Sequence, residues 1–327
     1  MHNILNITIP VYNRYKLTLE TILSLRKVKN TIPFVITVVD NGSEAPLRNK
    51  LIELKEANII DNLFILERNM GISCACNIGW KLVDANFFMK FDNDMLVLNN
   101  NCFKELFELW KFGKPVSTLG PAMCSDWINN SINKETPYGK IGICTTQLPG
   151  CALLIPRSVY NILGGFNEDY GLFGAEDGDY GLRVNYSGFP QYYYEINKFF
   201  IHRGTQDNIY SYYEGIDKKI EHEKLFIDDG IGFFVLNTWL YRLCIRSWKV
   251  PYRYKISDID GYYCKLVEDE DYKYIKDALI RSKKIFDCFM YRIDGKLVVD
   301  GYKLTDKLII KLKKIWADCG QECKFDL

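Results

Sequence analysis

Two hydrophobic periods alternate along the first part of the chain. Short apolar runs at 4–11, 34–39, 63–66 and 87–91 read as buried strands. Between them, 15–28, 47–57 and 73–84 carry apolar residues at helical spacing; Leu19, Ile22, Leu23 and Arg26 follow it in the first. The cluster Asp40-Asn41-Gly42-Ser43 stops the second strand, and Asp92-Asn93-Asp94 follows the fourth directly. Repeated β-α-β order predicts an α/β fold with a mostly parallel sheet and helices on both faces. In such sheets ligands bind outside the carboxyl ends of the strands. Three polar groups fall there: Tyr12-Asn13, Asp40-Asn41 and Asp92-Asn93-Asp94. Any one alone is ordinary turn chemistry. Together they point to one site assembled from distant segments.

Further on, 103–111 reads as a helix, 113–147 as irregular chain, 152–155 as a buried strand and 157–163 as a short helix broken by Gly164-Gly165. The aromatic run 191–200 reads as a strand pair or one long strand leading to His202. From about residue 210 the chain becomes rich in Lys, Tyr and Asp and loses the β-α alternation. This predicts a smaller, mainly helical C-terminal region, dividing the chain into 1–210 and 211–327.

Composition narrows the class. The 327 residues are 48% hydrophobic and 25% charged, which excludes a disordered or fibrous chain. Lys+Arg 42 against Asp+Glu 41 leaves a net charge of +1 and no global basic field for nucleic acid. The N-terminus reads as lacking a secretory leader. The most apolar later run, 231–241, is too short to span a bilayer and contains Asn237 and Thr238. Eleven scattered cysteines, an odd number, fit a reducing compartment, so a cytoplasmic protein is expected. Cys319 and Cys323 have no second pair to complete a zinc site.

Three groups can carry chemistry. Asp92 and Asp94, two apart at a strand end, suit a hard divalent cation that stabilises a departing diphosphate. Glu176, Asp177 and Asp179 crowd three carboxylates into four positions, which favours solvent, a cation or a raised pKa. Behind Gly171 and Gly174 they suit an acceptor loop in which one acid takes a hydroxyl proton; they equally suit a helix N-terminus, where the backbone dipole favours them. His202 can complete a metal's coordination, whereas His2 and His222 read as surface residues.

The order of ITIPVYNR, VVDNGS, ERNMGISCACNIG, FDNDM, PGCALLIPRSVYNILGGFNEDY, FGAEDGDYGLR and FIHRG resembles family 2 glycosyltransferases of the GT-A fold, over about residues 1–205. The resemblance implies a metal-dependent, inverting transferase using a nucleotide-sugar, usually UDP-linked, with Mn²⁺ or Mg²⁺. Pro10, Tyr12 and Asn13 match the segment that cups the nucleotide, and Asp40 the acid that reads the base. Asn69, Gly71, Asn77 and Asn93 join the nucleotide-sugar contacts. Asp92 matches the ribose side and Asp94 the metal side of the Asp-x-Asp motif, both being metal candidates with His202. Asp177 matches the catalytic base and Glu176 a sugar contact; Arg183 matches a basic residue after the acidic loop. One departure stands out: Cys76 occupies a place where the family commonly has an arginine near the donor, and Arg68 or Lys81 are candidate substitutes.

Other readings stay open. A nucleotidyltransferase would carry a Gly-rich loop after the first strand, but Pro10 to Lys16 contains no glycine. A non-catalytic carbohydrate-binding protein on the same scaffold is another. The acceptor is expected to be a saccharide or lipid-linked saccharide. The segment 239–255 interleaves Arg242, Arg246, Lys249, Arg253 and Lys255 with Trp239, Tyr241, Trp248, Tyr252 and Tyr254. It suits peripheral contact with an anionic membrane, a nucleic-acid surface serving a DNA-base acceptor, or a helix face packing its aromatics on the catalytic domain.

Overall fold

The computed structural model describes residues 4–29, 32–114, 116–206 and 230–321. His2, His222, Cys323 and the division near residue 210 lie outside the described residues. Strands β1 (Leu5–Val11), β2 (Phe34–Asp40), β3 (Asn62–Leu66) and β4 (Phe87–Phe91) alternate with helices α1 (Tyr15–Arg26), α2 (Ala45–Glu56) and α3 (Ile72–Leu82). The order β3-β2-β1-β4 is parallel throughout. Alternation along β1 explains the layers. Leu5, Ile7, Ile9 and Val11 share one apolar cluster with Ile22 and Leu25 of α1 and Leu47 and Leu51 of α2. Asn6 and Thr8 face α3 instead. Asn6 donates to the Gly79 carbonyl at 3.0 Å, and a Cβ on Gly79 would lie 2.6 Å from the Thr8 methyl, so only glycine lets α3 approach this closely. Pro10 sits in a central strand without cost because β4 pairs with β1 only from Leu5 to Thr8.

The chain continues through β5 (Met95–Val97) and α4 (Cys102–Trp110), then into 113–147, where the expectation of irregular chain needs correction. This stretch holds β6 (Thr118–Ala122), α5 (Ser125–Asn129), β7 (Asn133–Thr136) and β8 (Gly139–Ile143). Their sequences, TLGPA and NKET among them, lack apolar alternation; neighbouring strands make them into sheet. After β9 (Ala152–Pro156), α6 (Arg157–Leu163) and α7 (Glu176–Tyr186), the aromatic run also differs from expectation. It divides into β10 (Gln191–Glu195), the single turn α8 (Ile196–Phe199) and β11 (Phe200–His202), with α9 (Arg203–Gln206) following. β11 leaves the main sheet and pairs antiparallel with β5, setting His202 opposite Met95.

The C-terminal region contains α10 (Gly230–Arg242), β12 (Tyr254–Asp260), β13 (Tyr263–Glu268), α11 (Tyr272–Phe286), β14 (Met290–Ile293), β15 (Lys296–Val299) and α12 (Asp306–Ala317). Its helices are as expected. The two hairpins are additional, and one extends the sheet: β13 pairs with β3 through Tyr263–Ile65 and Cys264–Leu66. The full order is β12-β13-β3-β2-β1-β4-β9-β6-β10-β8-β7. Leu236, Leu240, Tyr272, Leu279, Phe286 and Trp316 form the core of this region, and Tyr170, which precedes α7, inserts into it. No described helix is long and apolar enough to cross a membrane.

Candidate active site

Strand ends build the first corner. β4 delivers Asp92 to a turn closed by the Met95 N–H on the Asp92 carbonyl at 3.2 Å, which brings Asp94 under β11. The Arg203 N–H donates to the Asp94 carbonyl at 2.9 Å, fixing the His202 backbone alongside. The result is His202 Nε2 3.2 Å from Asp94 Oδ1, with Arg14 Nη1 2.8 Å from Oδ2. One ligand atom each from Asp92, Asp94 and His202 lies within 4.8 Å of the others. Asp94 is 4% exposed, and burial pushes its carboxyl up, but His202 and Arg14 outweigh that and hold it below the usual range. Burial pushes His202 down, and its contact with Asp94 more than reverses this.

These residues fit a divalent cation on their own geometry. Asp94 Oδ1 is buried and, apart from the His202 contact, meets no hydrogen-bond donor among the described residues. Gly204 backs the corner so closely that a Cβ there would come within 2.4 Å of Asp94 Oδ2. Two carboxylates with one imidazole form an oxygen-rich donor set suited to Mn²⁺ or Mg²⁺.

The second corner is the start of α7. Ala175 takes the left-handed conformation (φ 64°) and turns the chain into the helix, so Glu176 and Asp177 occupy its first turn. Asp177 Oδ2 accepts from the Gly150 N–H at 2.9 Å and Oδ1 from the Gly178 N–H at 2.8 Å. Glu176 is buried and accepts from the Gly174 N–H at 2.8 Å; burial first, then the Asp177 charge, pushes its carboxyl up to about 7. Asp179 faces away from both. It is fully buried, taking Arg183 Nε at 2.7 Å and the hydroxyls of Tyr170 and Tyr241 at 3.1 Å each. All three acids lie in the first turn of α7, and only Asp179 turns into the core.

Between the corners lies Lys90, a lysine within an otherwise apolar strand. Its ammonium reaches Asp92 Oδ1 at 2.6 Å. A Cβ on Gly150 would be 3.0 Å from this nitrogen and 3.2 Å from Asp177 Cβ, so the two acidic corners are neighbours packed about Gly150.

The remaining residues divide. Tyr12 and Asn69 line a cavity of about 230 Å³ with Arg68, Met70, Glu168, Gly171, Leu172, Arg253 and Tyr254. Asp40 is not in its lining; its carboxylate is buried, accepts the Ser43 N–H at 3.0 Å and lies 3.5 Å from Arg48 Nε. Asn13 braces the same turn, taking the Glu44 N–H at 3.0 Å, and Pro10 is buried within β1. Asn93 donates to Thr18 at 2.9 Å, tying the metal corner to α1. Gly71 (φ 91°) abuts the Gly171 carbonyl, where a Cβ would sit at 2.2 Å. Asn77 points into the interior, bonding both backbone groups of Phe166 and Glu168 Oε1 at 2.8–2.9 Å.

A family model for glycosyl transferase family 2 matches residues 6–169, half of the chain. The chain belongs to that family. No curated protein matches it in sequence. Among solved structures it is similar to the Pyrobaculum calidifontis mannosyltransferase PcManGT, solved with GDP-Man and Mn²⁺, at 18% identity and a TM-score of 0.47, covering 57% of this chain and 53% of that one. It is also similar to S. aureus TarS 1–349, at 15% identity and TM-score 0.49, covering 90% and 96%. GalNAc-T7, solved with UDP, GalNAc and Mn²⁺, gives 15%, 0.48, 58% and 41%. The chain thus spans about half of the mannosyltransferase's length.

In this family 2 glycosyltransferase several site neighbours escape a motif reading. Arg14, Lys90, Gly150 and Gly204 reach the corners from four segments. Glu168 works behind them: its buried carboxylate takes the N–H groups of Arg253 and Tyr254 at 2.8 and 2.9 Å, clamping the C-terminal region onto the cavity. Arg183 is a buried clamp as well, donating to the Leu163 and Gly165 carbonyls at 2.9 and 2.7 Å. The segment 239–255 turns mostly inward. Tyr241, Arg246 and Arg253 are buried, Trp248 stacks on Tyr186 at 5.2 Å, and Tyr252 bonds Tyr160 at 2.9 Å. Arg242, Lys249 and Lys255 are its exposed cations.

Proposed function

We propose that the protein transfers a sugar from a nucleotide-sugar, uridine-linked, to a hydroxyl of a saccharide or lipid-linked saccharide, with inversion at the anomeric carbon. The observation that carries this reading is the pair of neighbouring acidic corners, one with a donor set suited to a metal and one with two acids held by backbone N–H groups at a helix start. Asp92, Asp94 and His202 would hold Mn²⁺ or Mg²⁺, which supplies Lewis-acid stabilisation of diphosphate charge. Tyr12 and Asn69 border the nucleoside cavity. Residues 1–210 form the catalytic unit in this reading, and 211–327 an accessory one that completes the cavity through Arg253 and Tyr254.

Asp177 takes the acceptor's hydroxyl proton as that oxygen forms its bond to the anomeric carbon. The bond from that carbon to the phosphate oxygen breaks, and its electron pair leaves with the nucleoside diphosphate. Hydrogen bonds from Gly150 and Gly178 hold the carboxylate in place, so much of the benefit is positional. One observation favours Glu176 as the base instead: a carboxyl near 7 is matched to proton transfer at neutral pH.

A panel of nucleotide-sugars incubated with and without MnCl₂ tests the reading. Metal-dependent release of nucleoside diphosphate from one of them is the expected result. Pyrophosphate release from a nucleoside triphosphate and a sugar phosphate would replace it with nucleotidyl transfer. Binding without any turnover would leave a carbohydrate-binding protein.

A further inference from the structure

Lys90 is a buried charge that the proposed chemistry does not use. Its side chain is 3% exposed, and it lies on a strand whose other residues are all apolar and buried. Sinking an ammonium this deeply is costly unless its partners compensate. Its ammonium is paired with Asp92 Oδ1 at 2.6 Å. It stands between Asp92 and the Gly150 backbone, which also holds Asp177. Cys76 is fully buried in α3 among Trp80, Phe88 and Ala122 and brings no charge to the corners. Lys81, weighed above as a substitute cation, is occupied elsewhere, with its ammonium 3.4 Å from the centre of the Tyr252 ring. Arg68 lines the nucleoside cavity instead.

We propose that Lys90 is a positioning residue for the donor: from β4 it fixes the Asp92 carboxylate and supplies the buried cation beside it. This rests on the reading that a nucleoside diphosphate group binds beside Asp92. Asp92, Asp94, Glu176 and Asp177 would otherwise face an incoming diphosphate with Arg14 as the principal compensating charge in the corners. Lys90 tips that balance without touching the donor, because its nitrogen is covered by Asp92 and Gly150.

The test measures binding of UDP, GDP, CDP, ADP and TDP to the full chain with MnCl₂ by calorimetry, and donor KM and kcat on the same samples. Wild type binding one of them establishes the underlying reading; binding of none ends that reading and this inference with it. Given wild-type binding, Lys90→Met should weaken it about 10–100-fold, the usual effect of losing a residue that orients a ligating carboxylate. Lys90→Arg should stay within about tenfold of wild type, because it keeps the charge and the hydrogen bond. In Lys90→Met the loss should fall on affinity and donor KM with kcat changed far less, a split that a purely structural role for Lys90 would not give. Melting curves without ligand identify a variant that has not folded, and the Lys90→Arg protein then decides the matter. Wild-type affinity and KM in Lys90→Met, or a folded Lys90→Arg protein weakened more than about tenfold, would overturn the proposal.

Discussion

The two acidic corners use the same residue types on different backbones. At the end of β4, Asp92 and Asp94 are separated by an inward residue, Asn93, that anchors α1, and both carboxylates reach the corner where β11 supplies His202. At the start of α7, each residue turns about 100° around the helix axis. Glu176 and Asp177 consequently border the site while Asp179, two positions on, is driven into the core against Arg183. A run of acids therefore keeps its carboxylates together after a strand and parts them at a helix start. The inward half also carries the C-terminal region. Asp179 accepts from Tyr241, and nearby Asp169 accepts from Arg246 at 3.0 Å and from Tyr272, so α10 and α11 are fastened to the loop that presents Asp177.

The strongest challenge to this division is to neutralise each acid in turn. Asp177→Asn should lower turnover about 10²–10⁴-fold while nucleotide binding persists. Asp179→Asn should act through stability, since removing one member of a buried pair commonly costs about 3–5 kcal/mol. Equal losses of turnover from two well-folded variants would erase the distinction.

Arg246→Met probes the same fastening from the other side. It leaves Asp169 buried without its cation and should destabilise by a similar amount, about 3–5 kcal/mol, in denaturant unfolding. Its kcat at low temperature should change far less than that of Asp177→Asn.

The smallest effect concerns protons at the metal corner. His202 ligates only as neutral imidazole, and Asp94 raises its pKa above 6.5 in the metal-free protein. Protons therefore compete with the metal, and Mn²⁺ affinity should rise with pH through a midpoint above 6.5. A Mn²⁺ affinity that is flat across this range would remove His202 from the donor set.

The first four strands and their helices were legible because buried strands and amphipathic helices imprint distinct periods on the sequence, and the strand ends followed from them. β6 to β8 were not, since Gly120, Pro121 and the polar NKET become strand only through their neighbours. Asp92, Asp94 and His202 were nameable from position and residue type, but their proximity depends on β11 leaving the main sheet to pair with β5. Lys90 did leave a signal, a charge inside FFMKF. Gly204 left almost none, because its role depends on how closely the chain passes Asp94.

The account's central claim is that residues remote in sequence share one divalent ion. The direct test is Mn²⁺ titration of the metal-free protein, with the free ion followed by electron paramagnetic resonance. Wild type should bind one ion per chain, and Asp94→Asn, with its fold checked by circular dichroism, should lose that site. Wild type that binds none, or a folded Asp94→Asn protein that binds as wild type does, would contradict the claim.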